Sequence, residues 1–339
     1  MVDPKTLYKK LKKIKTFMGV NLRDIIPTEQ ISLESLSGKV IAIDAMNFLY
    51  QFLSSIRQKD GTPLMDAKGR VTSHLSGFFY RTVNFIEAGI KPVYVWDGEP
   101  PEFKKREIEK RKEFREEAQE KWKEALEKGD FEEARKHAKA ASFVSEEMLN
   151  DSKELLKAMG LPVIQAKTEG EAQCAKIVID GNSFACASQD YDSLLFGALR
   201  LVRNLSAKEE LEIIYLDEVL KNLGITREQL ILIGILVGTD YAPEGVRGIG
   251  PKRALDLVRK FRKVEEIERE VEWEHEVSIR EIFDFFLNPE VEERYEIKFE
   301  KPDPEKIKKI LCDEHNFSEE RVSKYIEKLE RGKHTQRSL

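Results

Sequence analysis

The clearest pattern along the chain is a series of short apolar runs, most of them ending at or just before an acidic residue and followed by helical spacing. The run 39–44 (KVIAID) is almost wholly β-branched or apolar, as suits a strand buried on both faces, and it leads into the helical pattern AMNFLYQFLSSIR. A second run, KPVYVWD (91–97), also stops at an aspartate, just before GEPP. LPVIQA (161–166) leads into KTEGEAQCAKIV, where a helix resumes, and SFACASQD (183–190) is a fourth strand candidate. Strands alternating with helices predict an α/β fold: a mostly parallel central sheet with helices on both faces.

Between the second and third runs lies 102–157, dense in Lys, Arg and Glu. From Phe114 onward, Phe114, Ala118, Trp122 and Leu126 recur every four residues, which gives an amphipathic stripe. The stretch 102–113 offers only Phe103 and Ile108, too little apolar surface for an ordinary core helix. Two readings stand for it, a solvated, salt-bridged helix or a basic helix that grips a phosphate chain. Further on, LILIGILVGTDY (230–241) reads as a buried helix ending near an aspartate. APEGVRGIGPKRALDLVRKF follows, with Pro251 placed to start a helix just after Gly248 and Gly250. The tail RGKHTQRSL is expected to be unstructured, and no internal repeat or low-complexity linker interrupts the chain.

The chain has 339 residues, 41% hydrophobic and 35% charged, enough apolar material for one large α/β domain or two closely packed ones. No run approaches the roughly 20 apolar residues of a membrane span, and the basic start MVDPKTLYKKLKKIKT lacks the apolar core of a secretory signal. A cytoplasmic protein is the expectation. Cys174, Cys186 and Cys312 are far apart, with no C-x-x-C pair, and read as packing residues, not zinc ligands. The net charge of −5 argues only weakly against nucleic acid, because the Lys and Arg are segregated along the chain.

The acids change the picture most. In a parallel α/β sheet the loops after the strands meet at one edge, where ligands bind. Asp44 and Asp97 close the first two runs, Glu169 and Glu171 follow the third, Asp190 and Asp192 follow the fourth, and Asp240 ends the apolar helix. Each alone reads equally as a helix cap or surface residue. Together they would crowd negative charge, and two unit charges about 4 Å apart repel by roughly 4 kcal/mol at an effective dielectric near 20. Hard divalent cations relieve such repulsion, and an all-oxygen donor set suits Mg²⁺ or Mn²⁺. Two ions so held can hydrolyse a phosphodiester. GVRGIGPKRALDL adds a candidate helix-hairpin-helix. There Gly248 and Gly250 would let backbone amides face a phosphate, with Lys252 and Arg253 at the mouth, although an ordinary tight helix–helix turn has the same G-x-G.

IAIDAMNFLYQFL, TSHLSGFFYRT, GIKPVYVWDGEPPEFKK, EGEAQ, SQDYDSLLFG and LVGTDY–GVRGIGPKRAL, in this order, resemble the XPG-type structure-specific 5′ nucleases, the archaeal and eukaryotic flap endonucleases among them. The likeness runs from about Met18 to about Leu329. It implies a PIN/5′-nuclease-like fold with a helical arch, and an endonuclease removing 5′ flaps at single-strand/duplex junctions, with 5′-3′ exonuclease action, in DNA replication and repair. Two Mg²⁺, with Mn²⁺ as a substitute, are the implied cofactors: Asp44, Asp97 and Glu169 would hold one, and Glu171, Asp190, Asp192 and Asp240 the other. Lys104 and Arg111 match the family's basic pair at the scissile phosphate. Tyr50 matches a base-stacking aromatic, Arg57 and Arg81 match basic residues near the substrate, and a monovalent cation is implied at the hairpin.

The resemblance divides the chain into a basic N-terminal extension (1–18), an N-terminal nuclease region (19–115), the rest of the arch (116–140), an internal nuclease region with the hairpin (141–275), a C-terminal helical part (276–330) and a tail (331–339). Two features depart from the family. The extension precedes the family's Met-Gly start at Met18, and Leu7, Leu11 and Ile14 could line one helix face. Gln336 to Leu339 supplies only the first half of a clamp-binding motif, so sliding-clamp binding is expected to be weak. The implied partner is branched DNA with a 5′ flap, taken by a monomer. The alternatives are a related nuclease of other junction preference, such as a bubble cutter or a PIN-like RNase, and a non-catalytic branched-DNA-binding module.

Overall fold

A computed structural model of the chain describes residues 20–58, 61–104, 144–206 and 210–337, with isolated positions between 113 and 128. The N-terminal extension, Arg111 and the Phe114 stripe lie outside the described residues. Among the described residues seven strands occur, in chain order β1 (Glu29–Gln30), β2 (Val40–Asp44), β3 (Lys91–Trp96), β4 (Val163–Gln165), β5 (Ala185–Ala187), β6 (Arg200–Arg203) and β7 (Glu212–Tyr215). The four runs picked out by hydrophobicity are β2 to β5, each trimmed at its ends. Strand pairing is mixed and mostly parallel, and helices fill most of the rest, so the α/β expectation holds.

Contacts gather the chain into two units, each built from discontinuous segments. One comprises 32–96, 109–165 and 293–339. Here β2, β3 and β4 run parallel, with Val40 opposite Lys91 and Asp44 opposite Val95. Ile41, Ala42, Ile43, Val93, Tyr94 and Val95 are all fully buried, as their unbroken apolar sequence requires. The Ala45–Ser55 and Ser73–Glu87 helices meet through Phe52 and Phe78, whose ring centroids are 5.1 Å apart. The Glu319–Arg337 helix lies on the Ser73–Glu87 helix through Tyr80 and Tyr325. It continues through the tail to Arg337, so the expectation of an unstructured end from Arg331 is corrected. Glu, Lys, Arg and Gln are good helix formers, and Gly332 does not end the helix because it lies close against Ile86, so the helix started by packing propagates past it.

The other unit comprises Met1–Ile31, Asp97–Ile108 and Ala166–Glu292. Its strand order is β1-β7-β6-β5, with β5 and β6 parallel and the other two pairings antiparallel. β1, β6 and β7 escaped the sequence reading. β1 is only Glu29–Gln30, with no apolar residue, and in β6 and β7 the charged residues Arg200, Arg203 and Glu212 flank just two aliphatic positions. The Arg227–Val237 helix is buried almost all round and opens with a capping box of Thr226 and Gln229. The Pro251–Lys260 helix starts with Pro251 at its first position, as expected.

One buried group of the first unit makes stability pH-dependent. His74, in the first turn of the Ser73–Glu87 helix, is buried, with neither ring nitrogen hydrogen-bonded. Burial, then the nearby His315, pushes its pKa down from 6.5 to about 3. A folded-state value below the unfolded one means that the unfolded chain takes the proton first. Stability is therefore complete above pH 6.5 and erodes by roughly 1.4 kcal/mol per unit as pH falls toward 3. Urea unfolding between pH 7 and pH 4 should show a shallower slope for His74→Leu than for the wild type. Equal slopes would exclude His74 as the source.

Candidate functional site

The unit containing residues 97–108 and 166–292 brings five of the seven expected acids into one electrostatic neighbourhood, Asp97, Glu169, Glu171, Asp192 and Asp240. Asp97 comes directly after β3, in the sequence Asp-Gly-Glu-Pro-Pro. Its carboxylate accepts a hydrogen bond from the Gly170 amide at 2.8 Å, which caps the Gly170–Ile179 helix from a distant segment. The chain can come this close because Gly98 has no side chain. A Cβ there would lie 2.2 Å from the Ala166 and Lys167 carbonyls, while the Gly98 and Glu99 amides donate to Thr168 and Lys167. Asp97 and Glu169 are thereby locked beside one another.

Lys104 occupies the middle of the cluster. Its Nζ lies 2.6 Å from Glu169 Oε2 and 3.9 Å from Asp240 Oδ2, with only 12% of its side chain exposed. The neighbouring Phe103 fixes that segment by packing edge-on against Tyr241 and Phe285, at centroid distances of 5.3 and 5.4 Å. The Lys104 ammonium is 5.4 Å from the Tyr241 ring centroid. Asp240 follows the Arg227–Val237 helix in a turn held by reciprocal Thr239 and Ala242 hydrogen bonds.

Asp192 opens the short Asp192–Leu195 helix and accepts a hydrogen bond from the Val20 amide at 2.9 Å. Glu171 accepts from Ser193 Oγ at 3.1 Å. Asp190 sits half-buried, its amide donating to Ser188 Oγ. Asp44 belongs to the other unit, where it ends β2 and caps the Ala45–Ser55 helix by accepting from the Asn47 amide at 3.0 Å. For Asp44 and Asp97, then, the capping role and the candidate ligand role coexist.

The electrostatics record excess negative charge. Burial raises the pKa of Asp97 and of Glu169, partly offset by Lys104. Burial, reinforced by Asp240, pushes Asp192 up to about 7. Burial lowers the pKa of Lys104, but Glu169, Asp240 and Asp97 outweigh it and hold the ammonium above its ordinary range. The Tyr241 hydroxyl is pushed far up, first by burial and then by Glu169, Asp240, Asp192 and Glu171. As the side chains stand, no three His, Cys, Asp or Glu among the described residues form a ready-made metal cage. The cation in their midst is Lys104. Oxygen-only donors, partly desolvated and short of positive charge, fit hard divalent ions.

The candidate duplex grip lies in the same unit. Gly248 has φ +77°, and Gly250 caps the Pro251–Lys260 helix with open space around its Cα. Lys252 and Arg253 are exposed, Arg253 reaching back to the Gly248 carbonyl at 3.4 Å. In the other unit Tyr50 and Arg81 are half-buried on their helices, and Arg57 donates to the Gly61 carbonyl at 2.9 Å. Residues the sequence reading did not single out are Val20, whose amide holds Asp192, and the aromatic platform Tyr241, Phe285 and Phe286. The available signal was the apolar periodicity of that helix, which places Ile282, Phe283, Phe285 and Phe286 together.

Known proteins resemble this chain over most of its length. The XPG N-terminal domain family matches residues 18–118 and the XPG I-region matches 160–240. Flap endonuclease 1 of Pyrococcus furiosus is 57% identical over 335 residues, covering 93% of this chain and 96% of that protein. Flap endonuclease 1 of Staphylothermus marinus is 52% identical over 330 residues, covering 92% and 94%. Among solved structures, flap endonuclease-1 from Methanococcus jannaschii is 46% identical with a TM-score of 0.77, over 93% of this chain and 98% of that one. The catalytic core of Rad2 in complex with a DNA substrate is 25% identical with a TM-score of 0.72, over 92% and 100%.

Proposed function

The chain belongs to the flap endonuclease 1 family, structure-specific 5′ flap nucleases, and from that premise we propose how it cuts. The substrate is branched DNA, bound at the junction where a single-stranded 5′ flap leaves the duplex. Water attacks the scissile phosphorus and the bond to the 3′ oxygen breaks, leaving a 5′-phosphate and a 3′-hydroxyl. Two Mg²⁺, replaceable by Mn²⁺, would supply Lewis acidity toward the attacking water and charge neutralisation at the leaving oxygen. By the family resemblance Asp44, Asp97 and Glu169 would hold one ion, and Glu171, Asp190, Asp192 and Asp240 the other.

The observation that carries this reading is the Lys104 ammonium lodged between Glu169 and Asp240. A buried cluster that recruits its own lysine as a counter-ion is short of cations. Lys104 would meet the scissile phosphate and stabilise the charge that builds there once its carboxylate partners were occupied by divalent ions. Arg111, outside the described residues, joins it. Tyr50 stacks on the base at the junction, and Arg57 and Arg81 steady nearby phosphates. The hairpin at Gly248 and Gly250, with Lys252, Arg253 and a monovalent cation, grips duplex backbone without reading sequence. The same chemistry at a free end gives 5′-3′ exonuclease action, and both serve replication and repair in the cytoplasm. The protein works as a monomer.

Labelled flap, bubble and single-stranded RNA substrates, incubated side by side with Mg²⁺, test the assignment. The flap should be cut at the junction at least tenfold faster than the others, and EDTA should abolish cutting. An enzyme inert on flaps in both Mg²⁺ and Mn²⁺, or faster on bubbles or RNA, overturns it.

A further inference from the structure

The hairpin that grips duplex is not self-supporting. Between Asp240 and Gly250 the chain must turn from the end of the buried Arg227–Val237 helix to the start of the Pro251–Lys260 helix. Gly245 is the tightest point of that turn. Its φ is +52°, and a Cβ there would lie 2.4 Å from the Leu236 carbonyl and 2.6 Å from the Gly238 amide. The Gly245 amide donates to Ala242 and the Val246 amide to Leu236, so the loop is pinned on its inner side. The Gly245 carbonyl faces a residue from another segment, His275 Nε2, at 2.8 Å. A carbonyl can only accept, so Nε2 carries the proton.

His275 is itself well held. Its ring lies 4.6 Å from that of Trp273, and Trp273 Nε1 donates to the Val277 carbonyl at 2.7 Å, which folds 273–277 into a compact strap. Ser278 then caps the Ile279–Leu287 helix, with Glu281 returning the bond. That helix carries Phe285 and Phe286, which pack on Tyr241 beside Asp240. One strap thus ties the hairpin loop to the aromatic platform of the carboxylate cluster. A bond from a half-buried side chain to a loop carbonyl some thirty residues away serves no helix or strand.

We propose that His275 is a positioning residue for duplex binding: through the Gly245 carbonyl it fixes the Gly248–Gly250 turn and its basic mouth in the binding geometry before DNA arrives. This deepens the duplex-gripping role of the hairpin and rests on it. Loop order supplied in advance reduces the cost of binding and leaves the chemical step alone. The signature is therefore a rise in KM without a fall in kcat.

Two variants isolate the bond. His275→Gln keeps an N–H donor at similar reach, and His275→Leu removes it; both lose the contact with Trp273. Flap cleavage with Mg²⁺ should show KM raised about tenfold in His275→Leu, the weight of one partly buried hydrogen bond, with kcat within twofold of wild type. His275→Gln should recover most of the loss. Affinity for an unbranched duplex in EDTA should fall in parallel, and likewise in the double variant Lys252→Ala, Arg253→Ala. If His275→Leu binds duplex like the wild type while the double variant is weakened, the inference fails and the hairpin reading stands. If neither weakens, the hairpin reading itself fails. Equal damage in Gln and Leu variants, or a fall in kcat, would make His275 a mere packing residue.

Discussion

Asp192→Asn is expected to end flap cleavage and, in the metal-free protein, to raise the melting temperature. The two effects have one origin. Asp192 is buried, and burial together with Asp240 pushes its pKa up from 3.8 to about 7. A folded-state value above the unfolded one means that the folded chain holds its proton longer as pH rises. Stability is complete below about pH 4 and is lost progressively up to pH 7, so at pH 8 the metal-free protein bears the whole cost. Asparagine removes the charge at nearly constant shape, and its amide oxygen can still accept from Val20. The gain should be about 1–3 kcal/mol at pH 8, allowing for relaxation around the site, and should vanish toward pH 4. Turnover should drop at least 10³-fold, because on the proposed mechanism Asp192 is a ligand of the metal pair, while flap binding in EDTA persists. Thermal melts in EDTA at pH 8 and pH 4.5, paired with single-turnover cleavage, read both halves. A variant that cuts normally, or one that melts lower than wild type at pH 8, defeats the account.

The parts of this site that sequence made legible are those where local rules and function coincide. Asp44 and Asp97 close strands whose unbroken apolar runs can only be buried, so their place at the strand ends followed directly. Gly248, Gly250 and Pro251 mark a turn into a helix whatever the turn is for. Lys104 was different. On composition its segment reads equally as a solvated helix or a phosphate-gripping one, and only resemblance to a family singled out Lys104. What places it is Phe103 against Tyr241 and Phe285, a contact between segments more than a hundred residues apart. β6 and β7 were missed because four-residue strands with charged ends carry almost no periodicity. His275 left no trace at all, since one hydrogen bond to a distant carbonyl has no sequence signature. The loss is systematic: contacts that assemble a site from separate segments follow no local spacing.

Removing the Lys104 charge should do to the metal-free fold the reverse of Asp192→Asn. Lys104→Met keeps an apolar stem over the Tyr241 ring and deletes the ammonium that Glu169, Asp240 and Asp97 face. Breaking a buried ion pair from one side leaves carboxylates without compensation, at a typical cost of about 3 kcal/mol. Because the acids hold the Lys104 pKa above its ordinary range, the lysine stays charged below about pH 10 and contributes fully wherever its partner carboxylates are ionised. The deficit should therefore be plain at pH 8 and shrink in acid, as the carboxylates take up protons. Mg²⁺ should restore stability more to this variant than to the wild type, since divalent charge replaces the missing ammonium. Turnover is a separate matter. On the proposed mechanism the substitution removes a contact to the developing phosphate charge, so kcat should fall by roughly 10²–10³-fold with KM little changed. The pair of variants is more telling than either one. Two packing defects in one pocket would both lower the melting temperature, whereas a pocket governed by charge must move in opposite directions when an anion and a cation are neutralised. Melts in EDTA in which Lys104→Met matches the wild type, or cleavage at the wild-type rate, would show that the ammonium is not the counter-ion of this cluster.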